Sequence, residues 1–221
     1  MRIAAVGPNG LLPTPAFVGI LPDPHFRSEV MIATELGYRF QPRPNLALDF
    51  AAFWNDYENL RRAGPRPPLG SGDLLSPLDN RVAGRTFGGE LSLDWRATQW
   101  LGLTASYAHL RADFSKGLMD EENAPRHRWQ VRSAFDLPGN VEFDAGVDYT
   151  SSLTSFPGAA IDRYFRVDAR LAWQPTPALE LSLVGQNLTD REHQEWSAFL
   201  FTAARNIEIQ RNVYAQAVWS F

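Results

Sequence analysis

The side chains in this sequence whose type and spacing could do chemistry are charged residues two or four apart. They are Arg128 and Arg132, Asp144 and Asp148, and Arg166, Asp168 and Arg170. Along an extended strand, side chains alternate between faces, so each of these sets lies on one face. In a hairpin turning around Gly139, antiparallel register sets Arg132 and Gln130 opposite or diagonal to Asp144 and Asp148. Arg166 and Arg170 on the following strand approach the same acids from the other side. The expectation is a structural ladder of opposite charges, not a pair of catalytic carboxylates.

Other reactive chemistry is sparse. His25, His109, His127 and His193 are scattered. His193, within Arg191-Glu192-His193-Gln194-Glu195, has no second histidine at metal-ligand spacing, so the expectation there is a solvated charge cluster and no metal site. Asp120-Glu121-Glu122 reads the same way. The sequence has no cysteine, which removes thiolate metal sites, cysteine nucleophiles and disulfides. It holds no phosphate-cradling glycine loop, no G-x-S-x-G and no His-Glu-x-x-His. No enzyme activity and no cofactor is expected. A net charge of −4 without a basic stripe argues against a nucleic-acid partner.

The elements that must hold these charges follow a period of two from Ser28 to the last residue. Leu36, Tyr38 and Phe40 alternate with Glu35, Gly37 and Arg39. Leu101, Leu103 and Ala105 alternate with Gly102, Thr104 and Ser106, and Leu179, Leu181 and Leu183 with Glu180 and Ser182. Period two marks strands. About nine are expected, joined in turn by short turns (Pro42 to Asn45, Arg96 to Gln99, Pro138 to Asn140, Pro175 to Ala178) and long loops (Glu58 to Asn80, Asp113 to Pro125, Ser151 to Ala160, Asp190 to Arg205). Strictly alternating short and long connections fit an antiparallel up-and-down transmembrane barrel, present here in part. The composition, 44% hydrophobic and 21% charged, does not contradict this, because apolar-out and polar-in residues cancel in the average.

Lipid dictates which face is which. An Arg at the bilayer midplane costs about 2–4 kcal/mol, so the charged face must point to the lumen. Tyr38, Phe40, Trp95, Trp100, Trp173 and Trp219 fall near the short turns, and Trp54, Tyr57, Tyr107, Trp129 and Tyr149 near the long loops. Two aromatic bands at headgroup level are expected. No stretch approaches the ~18 apolar residues of a membrane-spanning helix. Met1 to Val6 begins like a signal peptide, but Gly7-Pro8-Asn9-Gly10 interrupts it, and no export signal is recognised. Residues 1–27, rich in proline, read as an irregular remnant of an extracellular loop. Residues 28–221 read as the barrel segment.

Four stretches carry a family likeness: Glu35-Leu36-Gly37-Tyr38-Arg39 followed by Pro42; Gly88-Gly89-Glu90-Leu91 with Trp95; Gly185-Gln186-Asn187-Leu188-Thr189-Asp190; and Val213 to Phe221. Taken in order, they resemble the C-terminal part of the barrel of TonB-dependent outer-membrane receptors. The resemblance implies a barrel of roughly 22 strands plugged by an N-terminal domain, through which the TonB complex drives uptake of an iron chelate or cobalamin. No plug, TonB box or earlier barrel strands are recognised in this sequence, so transport by it alone is not expected. The last strand, with Val213, Ala215, Ala217, Trp219 and Phe221 on one face, implies a signal read by the barrel assembly machinery. The implied surroundings are outer-membrane lipid and lipopolysaccharide of a Gram-negative bacterium. Two alternatives stand beside this: a small autonomous barrel with a structural or adhesin role, and a soluble β-sandwich.

Overall fold

The structure, a computed structural model, describes residues 3–4, 17–21, 23–63, 74–115, 124–155, 159–195 and 208–221. Among them there is no helix. Nine long strands dominate: β1 (Val30–Arg43), β2 (Leu46–Ala63), β3 (Leu74–Arg96), β4 (Leu101–Phe114), β5 (His127–Leu137), β6 (Val141–Thr150), β7 (Tyr164–Thr176), β8 (Leu179–Gln186) and β9 (Asn212–Trp219). They pair antiparallel in chain order, each with the next, as an open, partial barrel. Such a meander needs only hairpin connections.

The four short turns bring consecutive strands together, three of them at the proline-containing stretches named above. In the turn between β5 and β6, Gly139 (φ 83°) and Asn140 (φ 57°) adopt the left-handed conformation that these two residues enter at least cost. On the opposite side, β2 and β3 reach well into the stretch expected to be loop, ending at Ala63 and beginning at Leu74. Short strands also form beyond the long ones. Leu153–Ser155 pairs with Ala159–Ile161, and Glu192–Gln194 with Glu208–Gln210. Within 1–27, Ile3–Ala4 pairs with Phe17–Leu21, which adds parallel to the start of β3 at Leu74 to Pro77.

Register keeps like with like. On the convex face, Leu48, Leu93, Ala105, Val131, Val147 and Val167 are successive cross-strand partners. On the concave face, Ser92, Ser106, Gln130, Asp148 and Arg166 succeed one another in the same way. Slipping any strand by one residue would exchange the two sets.

The chain has almost no interior of its own. Among the described residues, the only buried apolar side chains are Val82, Ile161 and Ala172. The surface of 15954 Å² compares with about 10,000 Å² for a compact soluble chain of this mass. Leu36 is 67% exposed, Leu183 53% and Trp219 66%, all on the convex face. A contiguous apolar surface of this extent belongs against another apolar phase. From Phe87 to Trp95 the convex face of β3 stays apolar over nine residues. At about 3.3 Å per residue and a tilt near 40°, that spans on the order of 20–25 Å, the height of the apolar band of an outer-membrane barrel.

The aromatic bands are present with one correction. Trp54 stacks on Phe87 (centroids 5.1 Å apart) and Trp129 on Tyr149 (5.8 Å) toward the long-loop end. Trp100 stacks on Phe135 (6.2 Å) at the short-turn end. Tyr57, expected in the outer band, instead faces inward, its hydroxyl 3.3 Å from Thr86 Oγ1 and its ring beside Phe114. Its odd spacing from Trp54 puts it on the other face of the pleat.

Candidate functional site: the charged concave wall

The concave side of β1 to β6 encloses an open trough of about 780 Å³, with Arg39, Asp49, Glu90, Arg128, Gln130 and Asp148 in its wall. A second hollow of about 490 Å³ adjoins it, bounded by Asp94, Arg132, Asp144, Asp168 and Arg170. Both owe their polarity to alternation: each of these residues occupies the pleat position opposite a convex apolar one.

Between β5 and β8 the wall carries two adjoining clusters of ion pairs. Gln130 and Asp148 are direct partners in register, and the Gln130 amide donates to Asp148 at 2.8 Å. Arg132, one pleat repeat away, reaches Asp148 diagonally at 2.9 Å and Asp168, two strands over, at 3.9 Å. It can do so because the intervening partner in register is Gly146. A Cβ there would come within 2.8 Å of Arg132 Cδ and Cζ, so glycine leaves the space in which the guanidinium lies. Arg166 closes the cluster with Asp148 (3.5 Å), Asp168 (3.2 Å) and Glu195 (3.8 Å). Arg170 binds Asp144 and Glu142 at 3.0 Å each and Glu180 at 2.6 Å. These side chains are about one-third exposed, so water screens each pair; what the wall gains is geometric order more than stability.

Of the expected ladder, Arg132, Asp144, Asp148, Arg166, Asp168 and Arg170 therefore meet in two adjoining clusters. Arg128 does not join them. It stands higher on the wall between Ala108 and Thr150 and makes no ion pair among the described residues. Gln130 meets Asp148 as the hairpin register requires, while Glu142 and Glu180 also belong to the network and were not singled out in the sequence, although their parity puts them on the same face. Glu195 was not legible, because it reaches Arg166 from the β8–β9 connection.

That connection is anchored by the Gly185 to Asp190 stretch. Asn187 (φ 52°) is fully buried. Its backbone N–H donates to Asp168 at 2.9 Å, and its side-chain amide donates to the Ile209 carbonyl at 3.1 Å. The turn folds Leu188 back over Gly185, where a Cβ would meet the leucine methyl at 2.7 Å. Glycine thus leaves room for the leucine side chain, and asparagine is held by its two hydrogen bonds. His193 lies under Tyr164 (centroids 4.3 Å), with Nε2 3.1 Å from Glu195, and among the described residues no His, Asp and Glu cluster could hold a metal ion.

At the far edge, Val213, Ala215, Ala217 and Trp219 line up on the convex face, partnered with Gly185, Leu183, Leu181 and Leu179, and Phe221 follows just beyond β9. Among the described residues β9 pairs only with β8, and β1 only with β2.

Comparison with known proteins agrees with this geometry. The family model for the TonB dependent receptor-like beta-barrel matches residues 4–188. The ferric-catecholate import receptor Fiu of E. coli K12 superimposes with a TM-score of 0.69 at 20% identity, over 89% of this chain and 28% of that one. The ferripyoverdine receptor of the Pseudomonas aeruginosa outer membrane gives 0.69 at 16% identity, over 87% and 27%. The FrpB iron transporter of Neisseria meningitidis gives 0.67 at 17% identity, over 92% and 32%. The chain thus spans less than a third of these relatives' length while sharing their fold.

Proposed function

This chain belongs to the TonB-dependent receptor-like β-barrel family, and we propose that it forms the C-terminal staves of an outer-membrane receptor that takes up a chelated nutrient of the siderophore or cobalamin type. In this reading it builds wall and not gate, and transport needs the remaining strands and a plug, through which TonB would act. Val213, Ala215, Ala217, Trp219 and Phe221 serve as the strand that the barrel assembly machinery reads.

The observation that carries the reading is one apolar convex face over nine strands, with two edges that are unpaired among the described residues. Unpaired strand edges are not tolerated in hydrocarbon. The edges also share a direction: β1 and β9 each run from the long-connection end to the short-turn end. They cannot pair antiparallel with one another, which counts against the small autonomous barrel. Antiparallel closure needs an odd number of further strands between them.

The test is made in a bacterial strain lacking its own siderophore receptors. Exported behind an added signal sequence, the chain alone should fail to restore growth on a ferric siderophore. Joined to a plug and the missing staves of a related receptor, it should restore growth. Restoration by the chain alone, or its recovery as a detergent-free soluble monomer, would overturn the proposal.

A further inference from the structure

Arg166 is held differently from the other arginines of the wall. Arg132 approaches Asp148 at 2.9 Å and Arg170 approaches Glu180 at 2.6 Å, the distances of well-formed charged hydrogen bonds. Arg166 divides its three nitrogens among three carboxylates and meets none so closely. Its Nε lies 3.2 Å from Asp168, Nη2 3.5 Å from Asp148 and Nη1 3.8 Å from Glu195. The first contact is out of line, so the buried Nε has no hydrogen-bond partner. Asp168 and Asp148 stand on the concave wall, on β7 and β6. Glu195 instead follows the outer strand Glu192–Gln194, which pairs with Glu208–Gln210. Glu195 is divided as well: the oxygen that faces Arg166 also lies 3.1 Å from His193 Nε2. The other nitrogen of that imidazole, buried against Tyr164, is 3.6 Å from Asp190, too far for a hydrogen bond.

We propose that Arg166 is a positioning residue that couples the concave wall to the outer hairpin. Neutralising Asp148 from the lumen shifts Arg166 onto Glu195 and draws the base of the hairpin to the wall; occupying Arg166 releases it. The physical reason is competition. A guanidinium forms its strongest pair with a single carboxylate held by two hydrogen bonds, and three acids on separate segments prevent that here. With Asp148 neutral, its hold on Arg166 weakens. Arg132, which reaches both Asp148 and Asp168, then turns to Asp168 and displaces Arg166 from that acid too. Glu195 is the acid that remains. Asp148 lines the open trough, so a cationic group entering there meets it directly. An anion in the trough acts with the opposite sign, because it competes for Arg166. Arg166 Nε and His193 Nδ1, buried and unpaired on either side of Glu195, mark an arrangement that is not fully satisfied and gains when its contacts shift. Side chains about one-third exposed make each pair weak, so the bias is graded.

That the trough is a receptor's lumen rests on the proposed function. The coupling needs no closed barrel, since β6, β7 and the outer hairpin all belong to this chain. The full chain is refolded in neutral maltoside micelles, and amide exchange at 192–194 and 208–210 is followed by mass spectrometry. Arg166→Met and Glu195→Gln should each speed exchange there about threefold, the scale of one partly exposed ion pair. Asp148→Asn removes a charge from the wall and none from the hairpin, and it should slow exchange by a similar factor. In the Glu195→Gln background, Asp148→Asn should leave the hairpin's exchange unchanged. Exchange in β2 and β3 should be the same in every variant, which controls for folding. A wall with only a structural role behaves otherwise, because losing any member loosens its surroundings. Faster exchange in Asp148→Asn, no change, or slowing that persists without the Glu195 carboxylate would overturn the coupling. Spin labels that sense one medium on both faces of the sheet would instead remove the receptor reading and leave the exchange result standing.

Discussion

On the convex face, Leu171 is flanked in register by Phe143 and Leu183; one residue earlier on the same strand, Arg170 faces Asp144 on one side and Val184 on the other. Neighbouring positions of one backbone thus serve opposite solvents. The convex set needs no specific partner, because lipid solvates any of its side chains. The concave set depends on particular neighbours: Gly146 makes room for Arg132, and Arg132 then spans three strands. Apolar identity is therefore interchangeable on one face, and position is what counts on the other.

Substitutions should break this comparison unequally. The largest effect is expected at the centre of the convex face, where Leu171→Arg should destabilise the membrane-inserted sheet by about 2–4 kcal/mol, read from denaturant unfolding in lipid vesicles. Ser106→Arg at a concave position should be near neutral in the same assay. Asn187→Ala comes next. Losing the amide that ties the β8 end to Ile209 should cost about 1–3 kcal/mol and raise amide exchange along β9 before the rest of the sheet. Within the charged wall, Arg132→Met and Gly146→Val should each cost under about 1 kcal/mol, given the exposure of the pairs. The double variant should cost no more than the larger single, because both remove the same reach.

The smallest effect lies outside the membrane band, where β2 and β3 extend together. Arg62 holds the Asp79 carboxyl with two hydrogen bonds, at 2.7 and 3.1 Å. This hydrogen bonding lowers the Asp79 pKa from its ordinary 3.8. A lowered folded value means that the contribution is present above the unfolded pKa and is lost as pH falls through the folded one. Amide exchange in 60–63 and 79–82 should therefore rise below about pH 4, ahead of the membrane-level strands. Asp79→Asn should abolish that pH dependence.

The same contrast explains what could be read from the sequence. Strand order, faces and short turns were legible, since lipid enforces period two and Pro138-Gly139-Asn140 or Pro175-Thr176-Pro177 stop a strand locally. The extensions of β2 to Ala63 and β3 from Leu74 were not. Above the membrane both faces meet water, alternation lapses, and bulges between Tyr57 and Leu60 and between Leu60 and Arg62 shift the register. Of the site, the ladder's parity was legible in Arg132, Asp148, Arg166 and Arg170. The isolation of Arg128 and the arrival of Glu195 depend on tilt and on a long connection.

The central claim is that one face of these strands meets hydrocarbon and the other water. Nitroxide labels at Leu91 and Ser92, adjacent on β3, in outer-membrane vesicles from expressing cells test it most directly. The label at Leu91 should be relaxed by dissolved oxygen and shielded from a water-soluble nickel chelate, and the label at Ser92 should show the reverse. Equal accessibility to both reagents at the two positions would contradict the account.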